Sequence, residues 1–363
     1  MIPIYKPFLP KHSLSYAHDA IDSTWISSKG KYIKLAEELL KEKMQAKYVQ
    51  LVNNGTSATH LAVKALLYKN PSIKQIIVPN NVYVAAWNSI IYENLKIKPV
   101  DANINTWNFD LEQLPEEIDN DTAIMLVHNI GNIIDINKIK NKYKDTLIIE
   151  DNCEGFMGKY GDIFSGTASL ASSISFFANK TITAGEGGAF ITSDEGVYEY
   201  IKSSQGQGQK EGRRYVHDKL GYNYRMTNIQ AAILLGQLEC LNEILEQKKR
   251  VFDYYNNFFK NIDDIFLQEV EENTLHANWM FAIRTPKDYS FLGSRMQEQK
   301  IETRSMFFPL SSHDHLAQFA DPSKEKIATL LNKKCIILPS YPSLTEEEMG
   351  YICETCAALV REK

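Results

Sequence analysis

The stretch Ser175-Phe176-Phe177-Ala178-Asn179-Lys180-Thr181-Ile182-Thr183-Ala184-Gly185-Glu186-Gly187-Gly188 decides how the chain is read. A β-rich run, Ser173–Phe177, leads into it, and a second, Ala189–Thr192, follows its Gly-Glu-Gly-Gly turn. Lysines are ordinarily surface residues, and one lysine alone carries no message. Lys180 stands instead between the end of a buried strand and a glycine cluster. Lysine amines form Schiff bases with aldehydes, so a lysine held there is a candidate nucleophile.

Working outward, Leu147-Ile148-Ile149-Glu150-Asp151 places an aspartate directly after an apolar strand, about thirty residues before Lys180. Ligands of open α/β sheets gather at the carboxyl ends of strands, where a carboxylate can hold a protonated ring nitrogen. Taken singly, Asp151 reads more often as a cap of the next turn. Farther out, Asn53-Asn54-Gly55-Thr56-Ser57-Ala58 opens a helical pattern. Helix N-termini offer free N–H groups and a positive dipole end to phosphate. By itself this reads as a plain cap by Thr56 or Ser57.

Around these three points, β-rich runs are predicted at Gln75–Val78, Ile97–Val100, Ala123–Val127 and Thr146–Glu150, besides the two above. Helical patterns at Ser57–Tyr68 and Asn137–Tyr143 lie between them. This alternation predicts an α/β fold: a large, mainly parallel mixed sheet with helices on both faces. The continuous apolar runs suit strands buried on both sides. From Asn228 to about Phe259, Ile229, Ile233, Leu241, Leu245 and Val251 recur near helical spacing, predicting one long connecting helix. It would join a large domain, residues 1–235, to a small C-terminal α+β domain, residues 236–363.

The 363 residues allow two domains. Hydrophobic residues at 44% and charged ones at 23% describe an ordinary globular chain. A formal charge of -5 argues against a nucleic-acid partner. Lys248-Lys249-Arg250 is expected to be a solvated helical face. No apolar run reaches membrane-spanning length and the first residues do not resemble a signal peptide, so no membrane partner and a cytoplasmic location are expected. Five cysteines without framework spacing fit a reducing compartment. The pair Cys353 and Cys356 lacks a second pair or suitable histidines, so it is expected on a C-terminal helix and not on zinc. No metal is expected; His313 and His315, in a polar loop, read as surface or substrate-facing residues.

The order of phosphate loop, strand-end aspartate and lysine before a glycine-rich turn resembles fold-type I pyridoxal-phosphate aminotransferases. More narrowly, it is similar to sugar aminotransferases of the DegT/DnrJ/EryC1/StrS family. The likeness spans nearly the whole chain. It includes Asp22-Ser23-Thr24-Trp25-Ile26-Ser27-Ser28-Lys29-Gly30, Gly221-Tyr222-Asn223-Tyr224-Arg225-Met226, Glu302-Thr303-Arg304 and Phe308-Pro309-Leu310.

The resemblance implies the following roles. Lys180 carries pyridoxal 5'-phosphate and Asp151 pairs with its ring nitrogen. Thr56, Ser57 and Ser175 bind the phosphate, Tyr83 stacks on the ring and Glu154 lies beside it. Asn223 reaches the phosphate in the partner subunit, which implies a homodimer with shared sites. For the substrate, Trp25, Lys29, Arg214, Arg304, Phe307 and His313 are candidates, with Arg213 and His128 as further possibilities and packing or solvation as the alternative for each.

The implied reaction moves an amino group from an amino acid, glutamate by resemblance, to C4 of a nucleotide-linked 4-keto-6-deoxy sugar. The branch resembled makes viosamine, first choice UDP-linked, or perosamine. A sugar 3-dehydratase of the same family would carry histidine in place of Lys180. A non-catalytic relative would have lost Lys180 or Asp151. A dinucleotide oxidoreductase would show Gly-x-Gly-x-x-Gly after its first strand, which is absent here.

Overall fold

The computed structural model describes residues 1–362. Two helices come first, α1 (Lys11–Asp22) and α2 (Lys31–Met44), followed by β1 (Tyr48–Val52), α3 (Gly55–Lys69), β2 (Gln75–Pro79), α4 (Ala85–Ile91) and β3 (Lys96–Val100). Next are β4 (Thr122–Val127), α5 (Ile136–Lys142), β5 (Ile148–Asp151) and a small hairpin, β6 (Lys159–Tyr160) with β7 (Ile163–Phe164). β8 (Ala171–Ser175), β9 (Gly188–Thr192) and α6 (Glu195–Ser204) close this part.

Seven strands form one sheet in the order β1-β9-β8-β5-β4-β2-β3. β9 runs antiparallel to both neighbours, and every other pairing is parallel. The mixed, mainly parallel sheet is therefore as expected. β1 was not foreseen; its apolar residues occupy only a short run beside the antiparallel strand. Pro99 lies on β3, at the sheet edge, where a missing backbone donor is tolerated.

The apolar runs owe their continuity to burial on both faces. Ile76 and Val78 pack with Met125, Val127 and the α3 residues Leu61, Ala62 and Leu66 on one side. Ile77 packs with Ile124, Leu126 and the α5 residues Ile136 and Ile139 on the other. Successive side chains on a strand point to opposite faces, so both sets must be apolar.

The predicted long helix is two helices, α7 (Asn228–Glu239) and α8 (Leu241–Phe259), which corrects the single-helix expectation. Cys240 leaves helical geometry at φ -97 and ψ 12. α7 is apolar on nearly every side and is packed under α1 and α2. At Gly236, an added Cβ would come 2.3 Å from the Ser13 nitrogen, so only glycine permits this close helix approach. α8 is amphipathic instead and faces a separate core.

That core belongs to a four-stranded antiparallel sheet, β10 (Phe266–Leu267), β12 (Phe281–Arg284), β14 (Cys335–Leu338) and β13 (Arg304–Ser305), in that spatial order. β11 (Thr274–Leu275) instead extends the β6–β7 hairpin. Helices α9 (Tyr289–Glu298), α10 (Lys326–Lys334) and α11 (Glu346–Arg361) complete the region. Cys353 and Cys356 lie buried on α11, as a helical pair one turn apart. Lys249 and Arg250 are exposed, as expected of a solvated face, but Lys248 corrects that reading, because it is fully buried inside this core. No described helix is long and apolar enough to cross a membrane.

Candidate active site

Asp151 is the last residue of β5 and Ser175 the last of β8, so both stand at carboxyl ends of neighbouring parallel strands. α3 begins beside them. Its N-cap is Asn54, whose side chain accepts from the Ser57 N–H at 2.8 Å, and not Thr56 or Ser57. Asn54 precedes the glycine, so its extended backbone can aim an oxygen back at the first turn. The N–H groups of Gly55 and Thr56 find no acceptor among the described residues. A Cβ on Gly55 would come 2.7 Å from the Ser175 Cβ and 3.1 Å from the Cys153 Sγ, so glycine brings the helix start directly against the strand ends.

The turn after β5 packs acidic and thiol groups below this cradle. Asp151 is buried and its Oδ1 accepts from the Cys153 N–H at 3.1 Å. Glu154 is buried, with Oε2 accepting from the Ile130 N–H at 2.8 Å. Burial pushes the Glu154 carboxyl up to about 7; the Lys180 charge and the Ile130 N–H oppose the rise, and the Asp151 charge adds to it. Burial likewise drives the Cys153 thiol well up, with the Asp151 charge adding and the Lys180 charge opposing. Asp151, Cys153, Glu154 and Lys180 thus form one electrostatic neighbourhood.

Lys180 itself is half-buried. Its carbonyl accepts from the Tyr5 hydroxyl at 2.7 Å, and its Nζ lies 3.8 Å from the Trp279 ring centroid. Trp279 Nε1 also donates to the Asn179 carbonyl at 2.9 Å. Neither Tyr5 nor Trp279 was flagged by sequence reasoning, for they lie far from Lys180 along the chain and carry no motif. Tyr83 is exposed and its ring centre is 6.2 Å from that of Phe307, which joins the Phe-Phe-Pro segment to this side of the sheet. Asn80 secures that segment by accepting from the Leu310 N–H at 2.8 Å.

Other expected residues are placed apart. Trp25 and Lys29 are exposed in the loop before α2, and Asn223, Arg213 and Arg214 are exposed in or beside the 206–225 segment. None shares a hydrogen bond or ion pair with the Lys180 neighbourhood. Arg304, on β13, is exposed and lies 3.6 Å from Glu302. His313 packs edge-on to Trp87 at 5.5 Å, and His315 bonds Asn88 at 2.8 Å, so both are seated on α4. Burial, then His315, lowers the His313 pKa. Among the described residues no three His, Cys, Asp or Glu side chains group as metal ligands. His128 is wholly buried between the Glu150 carboxylate, 3.0 Å away, and the Ile134 N–H, which is the packing alternative and not a pocket wall.

The donor set suits a phosphorylated pyridine aldehyde. It offers free N–H groups at a helix start, hydroxyls at Thr56, Ser57 and Ser175, a buried carboxylate and a primary amine. Known proteins agree. The model of the DegT/DnrJ/EryC1/StrS aminotransferase family matches residues 9–357. The chain is similar to the GDP-perosamine synthase of Escherichia coli O157:H7, 37% identical over 369 residues, covering 100% of this chain and 99% of that one. It is 32% identical to the GDP-perosamine synthase of Vibrio cholerae, covering 97% of each. In three dimensions it is similar to the E. coli GDP-4-keto-6-deoxy-D-mannose-3-dehydratase solved with bound hydrated PLP. There the TM-score is 0.91 at 22% identity, covering 98% of this chain and 99% of that one. The chain belongs to the DegT/DnrJ/EryC1/StrS aminotransferase family and is a pyridoxal-phosphate-dependent nucleotide-sugar aminotransferase.

Proposed function

We propose that the enzyme moves an amino group from glutamate to C4 of a nucleotide-linked 4-keto-6-deoxyhexose, giving a 4-amino-4,6-dideoxyhexose for glycan synthesis. The observation that carries this is Lys180, an amine held beside two buried carboxyl groups where the dehydratase branch would have histidine. The relatives named GDP-perosamine synthase favour a GDP-linked sugar over the UDP-linked viosamine precursor first expected.

The bound cofactor supplies an electron sink that stabilises negative charge on the carbon bearing the amine. Asp151, a buried carboxylate, would keep a proton on the ring nitrogen. Thr56, Ser57, Ser175 and the open N–H groups of the first α3 turn hold the phosphate. The Lys180 amine would hold the cofactor and, once free, would take a proton from the amine-bearing carbon of the donor and later give one to C4 of the sugar, as base and then acid. Glu154 would stand beside the ring, and Tyr83 would cover it. Residues 1–235 supply these groups; residues 236–363 supply Trp279, Phe307 and Arg304, whose forked donors suit diphosphate oxygens. Trp25, Lys29, Arg214 and His313 are further substrate contacts in this reading. A homodimer brings Asn223 to the partner's phosphate, and the reaction runs in the cytoplasm.

The test is amino transfer from glutamate to GDP-, UDP- and dTDP-linked 4-keto-6-deoxy sugars, with the new amine located by NMR. Amination at C4 of one of them is the expected result. Amination at C3, or activity on free keto acids alone, would replace this reading. An apolar wall favours a methyl over a hydroxyl only by about 1–3 kcal/mol, so a sugar retaining its 6-hydroxyl should be rejected imperfectly.

A further inference from the structure

Lys248 is the only lysine among the described residues that is fully buried, and nothing in the reaction above uses it. Burying an ammonium group is costly unless its protons find acceptors. Lys248 Nζ donates to the Trp279 carbonyl at 2.6 Å and to the Ser340 carbonyl. It also lies 5.3 Å from the Tyr5 ring centre and 5.7 Å from that of Phe252. Burial lowers its pKa to about 7, and either protonation state retains enough N–H groups for both carbonyls.

Two of these partners are the residues that hold Lys180. Tyr5 donates its hydroxyl to the Lys180 carbonyl at 2.7 Å. Trp279 donates its indole N–H to the Asn179 carbonyl at 2.9 Å and presents its ring 3.8 Å from the Lys180 Nζ. Both arms start at one buried amine on α8 and end on one lysine beside the large sheet. An ammonium over an indole face is attracted by the ring quadrupole, so the ring gives the flexible lysine chain a defined resting place. The Lys180 charge also acts on the Glu154 carboxyl and, with that of Asp151, on the Cys153 thiol.

We propose that Lys248 is a positioning residue for the reaction, acting through Trp279 and Tyr5 to set where the Lys180 amine sits. This rests on Lys180 being the cofactor lysine. The C-terminal sheet thereby fixes a group of the large sheet, and reaction geometry depends on how the two parts are joined. A misplacement of about 1 Å is enough to slow catalysis by orders of magnitude.

Two measurements test this. In the full chain, lysines are reductively methylated with carbon-13, and the Lys180 methyl signal is assigned with Lys180→Arg. That signal should lie upfield because of the indole ring current. In Lys248→Met and in Trp279→Leu it should move toward the signals of exposed lysines. In the holoenzyme, each variant should lower kcat by about tenfold or more while changing the sugar KM little. The double variant should be hardly worse than the poorer single one, because one linkage is lost only once. An unmoved Lys180 signal with normal kcat in folded Lys248→Met overturns the proposal, and so do independent, multiplying losses. Should Lys248→Met not fold, Tyr5→Phe with Trp279→Phe removes the two donated hydrogen bonds and replaces the indole by a smaller ring, while Lys248 stays in place. That pair should reproduce the signal shift and the kcat loss, and unchanged values there also overturn it. A reducible cofactor adduct that persists in Lys180→Ala would instead refute the reading of Lys180 and leave the signal shift standing.

Discussion

Arg225 holds the side-chain oxygen of Asn223 at 2.9 Å, while its Nε bonds the Ser28 hydroxyl at 3.1 Å. Asn223 is exposed, and its side-chain amide donates no hydrogen bond among the described residues. This arrangement suits donation to a phosphate across a subunit boundary. Asn223→Ala should weaken cofactor retention by about tenfold, as loss of a hydrogen bond to a charged group does. At a cofactor concentration too low to fill Asn223→Ala, mixing that variant with inactive Lys180→Ala protomers should raise activity. Random reassortment of a C2 dimer gives mixed dimers with one intact site each, hence about a quarter of wild-type activity. No recovery after confirmed subunit exchange, or an active monomer in sedimentation, contradicts shared sites.

Lys180→Ala should lose the visible band of the bound cofactor and yield no lysine adduct after borohydride reduction, read by mass spectrometry of the 175–188 peptide. The reason is local: Lys180 supplies the one amine in the neighbourhood of Asp151 and Glu154 described above. An adduct on another lysine would move the assignment.

Asp151→Asn should keep the fold and much of the cofactor binding. Its neighbours Cys153 N–H and Ser173 can still meet an amide oxygen. Turnover should fall by about a hundredfold or more, since an unprotonated ring withdraws electrons poorly. Near-normal turnover in a folded variant would separate Asp151 from the ring nitrogen.

Glu154 gives a pH signature in the cofactor-free protein. Its folded pKa is raised from 4.5 to about 7, chiefly by burial. The folded chain therefore holds a proton that the unfolded chain releases between those values. Stability from this group is complete below about pH 4.5 and is lost as pH rises through about 7. Glu154→Gln cannot lose a proton, so its stability relative to wild type should improve between pH 5 and pH 8, by up to about 3 kcal/mol. Denaturant titrations at the two pH values check this, and parallel curves would show that Glu154 is ionised throughout.

The sequence by itself determined the parallel sheet and the placing of Asp151, Ser175 and Lys180 at its carboxyl edge. Those signals are local: a period-2 strand buried on both faces must be apolar throughout, and its polar residues appear where it ends. β1 and the break at Cys240 escaped notice because Gln50 interrupts the apolar run of the one and the other breaks a run that stays apolar across it. Lys248 is the sharper case. It occupies the stripe of Leu241, Ile244, Val251 and Tyr255, at helical spacing, so its inward direction was legible. Its residue type argued the other way. The tertiary structure decided between them by bringing the carbonyls of Trp279 and Ser340, 31 and 92 residues along the chain, to its amine. Only a folded core can supply acceptors for a buried lysine, and no local pattern records that they will be there.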